Sequence, residues 1–148
     1  MLEHEKTFRS VADRWFELSS GWSLEKLNAY RGDRKGKWSD RTAGNWTVSH
    51  GPWSPVHSAD VLMSLEHDIF PAIGDLPITV IKAPKLLNVL QKVEKRGAIE
   101  TAQRLRQRCE GVFAYGIGVG LCEANPAAGL RANLTDRPKA RKQPDHRL

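Results

Sequence analysis

Hydrophobic residues recur at helical spacing in four stretches of the chain, and polar residues fill the faces between them. The first stretch, residues 7–20, has apolar residues at the i, i+4 and i+7 positions of one helical face, namely Val11, Trp15 and Leu18. Thr7 suits an N-cap, and Gly21 suits the end of the helix. This pattern predicts a helix over residues 7–20.

A second helix is predicted from residue 53 to 71. Ser54 stands where an N-cap is expected and Pro55 follows at the first helical position. Pro71 and Gly74 are predicted to end this helix. An extended connector over residues 75–83 follows it.

The third and fourth predicted helices cover residues 84–96 and 98–119, with Gly97 between them. The fourth carries an apolar stripe about 100° wide, which is typical of a helix at the centre of a bundle. Cys109 lies on this stripe and is expected to be buried, whereas Cys122 is expected to be exposed. The expected core consists of Val11, Trp15, Leu62, Ile69, Leu87, Leu90, Ala102, Leu105, Val112 and Phe113.

Residues 21–52 form an excursion between the first and second helices, rich in glycine and tryptophan. Its glycines and short polar residues are typical of turns, but a disordered linker rarely carries so many tryptophans. We expect a short helix near residues 23–30 and a small hairpin within 37–49. The excursion is either a loop held on the bundle by its tryptophans or an additional contact surface for DNA or another subunit.

The charge of the chain is unevenly distributed. The 148 residues carry a net charge of +6, and residues 82–108 alone hold eight Lys or Arg against two Glu. Residues 42–81 hold four acidic residues and no Lys or Arg. A polyanion is one partner that such a distribution suits, and a basic surface that serves solubility is the other interpretation.

The sequence carries no recognisable enzyme motif. His57 and His67 share a polar helix face but lack the spacing of a zinc-binding HExxH pair. The glycines of residues 116–120 follow a helix rather than a strand, so they do not form a dinucleotide-binding loop. The two cysteines form no CxxC pair. We therefore predict no catalytic residue, no metal site and no cofactor.

The flank of the fourth helix carries the candidate chemistry. At 100° per residue, one polar stripe beside the apolar face contains Thr101, Arg104, Arg108 and Tyr115. Arginine binds phosphate or guanine and threonine binds phosphate, so this edge suits DNA. The alternative is an exposed basic face stabilised by the Glu100–Arg104 pair. Lys82 and Lys85 add positive charge before the third helix.

Three segments identify a family resemblance: IFPAIGDLPI, RGAIETAQRLRQR and NPAAGL. With the first helix and the WSP start of the second, they resemble the core-binding domain of phage integrases, the tyrosine-type site-specific recombinases. The resemblance covers about residues 7–20 and 53–134. The chain departs from the family pattern at residues 21–52, where the connection between the first and second helices is longer than usual.

The resemblance implies an all-α, SAM-like four-helix bundle over residues 1–134, followed by a basic linker over 135–148. It implies a non-catalytic domain that clamps attachment-site DNA during integration and excision. The arginine, lysine, histidine and tyrosine motifs of the family's catalytic domain are not found in this chain, which therefore resembles an excised or truncated part of a recombinase. The implied partners are double-stranded DNA, the catalytic domain and other protomers, with no membrane. The implied location is the bacterial cytoplasm, at the nucleoid.

The family grips DNA with its second and fourth helices, and a helix N-terminus offers unpaired N–H groups to a phosphate. The expected DNA-binding residues are therefore Ser54, His57, Ser58, Lys82, Lys85, Thr101, Arg104 and Arg108. The alternative function is a helical domain that mediates self-association.

Overall fold

The computed structural model describes residues 6–33 and 53–135 of the chain. Five α-helices occupy these ranges: α1 (Phe8–Ser20), α2 (Leu24–Asp33), α3 (Pro55–Ser64), α4 (Ala83–Lys95) and α5 (Ile99–Gly118). Over the same residues, strand pairing is limited to one antiparallel bridge between Thr7 and Pro77. The predicted all-α fold is confirmed.

The predicted helix starts are confirmed by their caps. The Thr7 side chain accepts a hydrogen bond from the backbone N–H of Ser10 at the start of α1, and Gly21 ends that helix with φ of 83°. The Ser54 side chain accepts a hydrogen bond from the backbone N–H of His57 at the start of α3. Such bonds satisfy N–H groups that have no partner within the helix.

The second predicted helix extends beyond its predicted end. α3 continues as π-helical turns over Leu65–Gly74, with Pro71 inside them. The prediction that Pro71 ends the helix is therefore wrong, whereas Gly74, the second predicted end, is the last helical residue. A proline ring clashes with the carbonyl one α-helical turn earlier, and the wider π turn changes that spacing. The connector after it is not fully extended either, because Ile78–Val80 form a 3-10 turn.

α5 is the central helix and packs against α1 and α4. Phe8 of α1 lies between Phe70 and Phe113, with ring centroids 6.2 and 5.4 Å away. Most of the expected core is buried as predicted: Val11, Leu62, Ile69, Leu90, Ala102, Leu105, Val112 and Phe113.

Three apolar residues are less buried than their helical faces predict. Trp15 and Leu87 are only partly buried, at the edges of the core. Leu18 is 59% exposed. Helical periodicity places a residue on the inner side of its own helix, but the extent of the neighbouring helices decides whether that side is covered.

The first half of the excursion is part of the bundle. Trp22, Leu27 and Tyr30 are buried, and the Trp22 ring lies 5.5 Å from Phe16. Arg31 of α2 forms ion pairs with Asp13 of α1 and with Glu66. For residues 21–33, the interpretation as a segment held on the bundle by a tryptophan is confirmed, as is the short helix. The predicted hairpin lies outside the described residues.

The chain folds back over α5 after that helix ends. Arg106 of α5 is buried although it is charged, and it donates hydrogen bonds to Glu110 and to the Ala127 carbonyl. Cys122 is also buried, with its Sγ 3.7 Å from the Phe113 carbonyl oxygen. The expectation that Cys122 is exposed is wrong, because the returning segment covers this side of the helix.

Candidate nucleic-acid interface

The N-terminal turn of α3 positions the first part of the candidate site. Ser54 caps the helix and is exposed, and Pro55 sets the backbone of its first residue. His57 follows one turn into the helix, on the outside of the bundle. The Trp53 ring meets the His57 ring edge-on, with centroids 4.9 Å apart. The local sequence thus fixes both the helix start and the environment of the imidazole.

The flank of α5 supplies two arginines with different surroundings. The side chain of Arg104 is 60% exposed and pairs with Glu100 at 3.3 Å. Arg108 is half-buried, and its Nη1 donates a 2.8 Å hydrogen bond to Ser64 Oγ. Among the described residues, no carboxylate lies within salt-bridge distance of Arg108. Burial, together with the charge of Arg104, lowers the pKa of Arg108, but the guanidinium remains charged at neutral pH.

His57 and the two arginines converge on one shallow depression between α1, α3 and α5. Its volume is about 320 Å³. It is lined by Trp15, Trp53, His57, Val61, Arg104, Gln107 and Arg108.

Electrostatics in the depression favour a neutral imidazole. Burial and the charge of Arg108, with a smaller contribution from Arg104, lower the pKa of His57 below its usual 6.5. Asp60 on the same helix opposes this shift. Two acidic residues oppose the arginine charges of the site: Glu100 pairs with Arg104, and Asp60 acts through its charge on His57 and Arg108. Arg108 nevertheless has no direct acidic partner among the described side chains.

A glycine on α5 allows Trp15 to reach the depression. A Cβ atom on Gly111 would stand 3.0 Å from both Cζ2 and Nε1 of the Trp15 indole. The indole therefore lies directly over the backbone of α5. Its other neighbour is Trp53, whose ring centroid is 5.5 Å away at an interplanar angle of 73°.

The structure brings some of the eight predicted DNA-binding residues together and places the others elsewhere. His57, Arg104 and Arg108 share the depression, Ser54 caps the adjoining helix, and Thr101 is partly exposed one turn before Arg104. Ser58 does not belong to this surface, because it is fully buried. It follows His57 directly, and the step of about 100° around the helix turns its side chain from the outer face of α3 toward the core.

Lys82 and Lys85 are exposed but lie at the other end of the bundle. Lys82 lines a separate depression of about 630 Å³ together with residues 120–126, which follow α5. A helix rises about 1.5 Å per residue, so the end of α5 lies some 20 Å from Arg104. The expected DNA-binding residues therefore fall in two separate regions of the bundle.

Trp15, Trp53, Val61 and Gln107 line the site but were not predicted to do so. Gln107 stands three residues after Arg104, a spacing that places both on one side of a helix. That signal was present in the sequence. The contribution of Trp15 was not, because it depends on the contact with Gly111 across two helices.

The described residues contain neither a group of metal-ligating side chains nor a membrane-spanning helix. They contain no cluster of three or more histidine, cysteine or acidic side chains that could hold a metal ion. In residues 6–33 and 53–135, no helix has the length and apolar character that crossing a membrane requires.

Comparison with known proteins identifies the family. A family model described as "Phage integrase central domain" matches residues 40–133. The prophage integrase IntA of Escherichia coli K12 is 39% identical over 102 residues, which are 69% of this chain and 24% of IntA. The integrase of enterobacteria phage P4 is 36% identical over 102 residues, again 69% of this chain and 23% of the relative. The chain thus spans about a quarter of the length of these relatives.

A solved structure shows the same fold. The NMR structure of a fragment of the E. coli phage integrase IntS matches with a TM-score of 0.56 and 26% identity, covering 90% of this chain and 94% of the fragment. The family match spans more than half of the chain and agrees with this structural likeness. The chain therefore belongs to the phage integrase central domain family.

Proposed function

We propose that this chain is the DNA-binding, core-binding domain of a tyrosine-type site-specific recombinase. It clamps attachment-site DNA, while catalysis belongs to another part of the parent enzyme. No residue of this chain is assigned a catalytic role. Such a function belongs in the bacterial cytoplasm, at the nucleoid.

The convergence of the α3 N-terminal turn and the α5 flank carries this proposal. Both elements present groups that bind phosphate: the positive end of a helix dipole at Ser54 and the guanidinium groups of Arg104 and Arg108. The hydrogen bond from Arg108 to Ser64 holds one guanidinium in place. A preorganised cation loses less conformational entropy when it binds an anion than a free side chain does.

The proposed DNA surface comprises Ser54, His57, Thr101, Arg104 and Arg108. Lys82 and Lys85 lie too far along the bundle to share one phosphate with Arg104, but they can contact a neighbouring stretch of duplex. We expect weak binding with little sequence preference, with a Kd in the nonspecific range of about 10⁻⁴ to 10⁻⁶ M at physiological salt. A single clamping domain lacks the gain in affinity that linkage to a second one provides.

The experiment measures binding to a labelled duplex by fluorescence anisotropy at several salt concentrations. The double variant Arg104→Glu/Arg108→Glu is expected to abolish binding with little change in the melting temperature. Its control, Lys92→Glu/Lys95→Glu, makes the same change in net charge on the exposed face of α4. If both variants lose binding equally, general charge rather than this surface holds the DNA.

A second arm of the experiment tests the basic linker over residues 135–148, called the tail below. Reversal of Arg137, Lys139 and Arg141 is expected to leave measurable binding. If this variant loses all binding while the α5 variant binds normally, the tail is the DNA-binding element and the surface proposed above is wrong.

Self-association is the second candidate, and an exposed apolar group favours it. The exposed fractions of Val80, Ile117 and Val119 are 52%, 41% and 51%. Ile117 and Val119 stand at the end of α5, and Val80 is next to Thr79, which lines one depression with residues 120–126. Exposed apolar patches mark contact sites in many proteins. Sedimentation of the chain without DNA distinguishes the candidates: a molecular mass that rises with concentration supports self-association, and a constant monomer mass contradicts it.

A further inference from the structure

The depression between α1, α3 and α5 combines aromatic rings with cations in a volume of about 320 Å³, within the range of small-ligand sites. A duplex that only laid its backbone across this face would need the arginines but not the indoles. We propose that the depression accepts one unstacked nucleobase, whose phosphate is bound by Arg104 and Arg108. This inference rests on the proposed function, because it uses the same face of the domain.

The aromatic lining supports a base as the occupant. Trp15 and Trp53 are both partly buried and both line the depression. Stacking on aromatic side chains is the main way in which proteins bind unpaired bases, and every base offers a π-face. Bases within a duplex are already stacked and cannot reach such a ring without leaving the helix.

The polar lining suits the edge and the phosphate of a nucleotide. Gln107 is exposed beside the rings, and its amide can donate to and accept from a base edge. The imidazole of His57 is neutral near pH 7, so it too can donate and accept. Arg108 supplies a held guanidinium without a carboxylate partner among the described residues.

The rings are held before any ligand arrives. Trp15 is confined between Gly111 and Trp53. Trp53 packs in turn against Phe16, with ring centroids 6.0 Å apart. Aromatic side chains that are already ordered lose little conformational entropy on binding.

The test compares three duplexes of the same sequence at one salt concentration: a fully paired duplex, one with a single unpaired nucleotide, and one in which that extra nucleotide lacks its base. We expect the wild-type chain to bind the second duplex about tenfold more tightly than the first, since stacking of one base contributes about this factor. The abasic duplex is expected to bind like the paired one. The abasic duplex separates recognition of the base from mere flexibility of the DNA, and it needs no protein variant.

Two variants test whether the preference for the unpaired base arises in the depression. Gln107→Ala is expected to reduce the preference for the unpaired base at least threefold while leaving the affinity for paired duplex nearly unchanged. Trp53→Ala is expected to reduce the same preference at least threefold, measured as the ratio of the two affinities because Trp53 also packs on His57. Gln107 is exposed, so its variant remains informative if Trp53→Ala fails to fold. Equal affinity for paired and unpaired duplexes overturns the inference, as does a preference that the abasic duplex retains or that Gln107→Ala leaves intact. Loss of paired-duplex binding in the arginine variants tests the proposed function separately.

Discussion

The Trp15 indole lies 3.0 Å from the position that a Cβ atom on Gly111 would occupy. This contact joins α1 to α5 and brings an aromatic ring to the edge of the candidate interface. A glycine within a helix costs about 1 kcal/mol relative to alanine. The contact with Trp15 explains why the helix bears this residue beside the site.

Gly111→Ala is expected to gain less stability than its helix propensity alone predicts, because the added methyl group displaces the Trp15 ring by a few tenths of an ångström. Gly118→Ala is the matched control, since a Cβ atom there would meet nothing within 4 Å. We expect Gly118→Ala to stabilise the protein, by less than the roughly 1 kcal/mol of a helix interior because Gly118 is the last residue of α5, and Gly111→Ala to fall short of it in urea unfolding. Equal gains would show that Trp15 is free to move.

Leu105→Ala is expected to lower the free energy of unfolding by about 2–5 kcal/mol, because the substitution leaves a cavity at a fully buried position of the central helix. Leu18→Ala makes the same chemical change at a position that is 59% exposed. We expect it to cost less than about 0.5 kcal/mol. Chemical denaturation of both variants checks the assignment of the core, which similar losses in the two variants would contradict.

The stability of the chain is expected to depend on His57 below neutral pH. Burial and the neighbouring arginines lower the pKa of His57 in the folded state below its usual 6.5, so the unfolded chain binds more protons there than the folded chain. Stability therefore decreases as the pH falls through about 6.5, and the loss is complete below the folded-state pKa. His57→Gln removes this contribution.

Urea unfolding at pH 7.5 and pH 5 measures the effect of His57. Wild type is expected to lose more stability between these two values than His57→Gln does. A direct check is the NMR titration of the His57 ring in the folded protein, for which we expect a midpoint below 6.5. A midpoint above 6.5 would mean that Asp60 outweighs the two arginines.

Both thiols are expected to be unreactive in the folded protein at pH 8. Burial raises the pKa of Cys109 to about 12 and also raises the pKa of Cys122, and the thiolate is the reactive form. A disulfide exchange reagent should detect both cysteines after denaturation and neither within minutes under native conditions. Rapid labelling of Cys122 alone would show that the segment after α5 opens readily.

The elements that the sequence predicted well depend on local chemistry. The caps at Thr7 and Ser54 and the αL glycine at Gly21 act within one helical turn, so neighbouring residues suffice to determine them. The same holds for the apolar stripe of α5, whose period is a property of the helix itself. The segments that carry the family resemblance could also be recognised from the amino-acid sequence alone.

Tertiary packing decided the features that join distant parts of the chain. Ser58 lies inside the bundle and Lys82 at its far end, although both are polar and both were predicted to contact DNA. Cys122 and Arg106 are buried because the chain returns across α5. Trp15 lines a surface depression because Gly111, 96 positions later in the sequence, leaves room for its ring. A sequence pattern reports which side of a helix is apolar, whereas the crossing of helices determines which of those sides are covered and which polar groups meet.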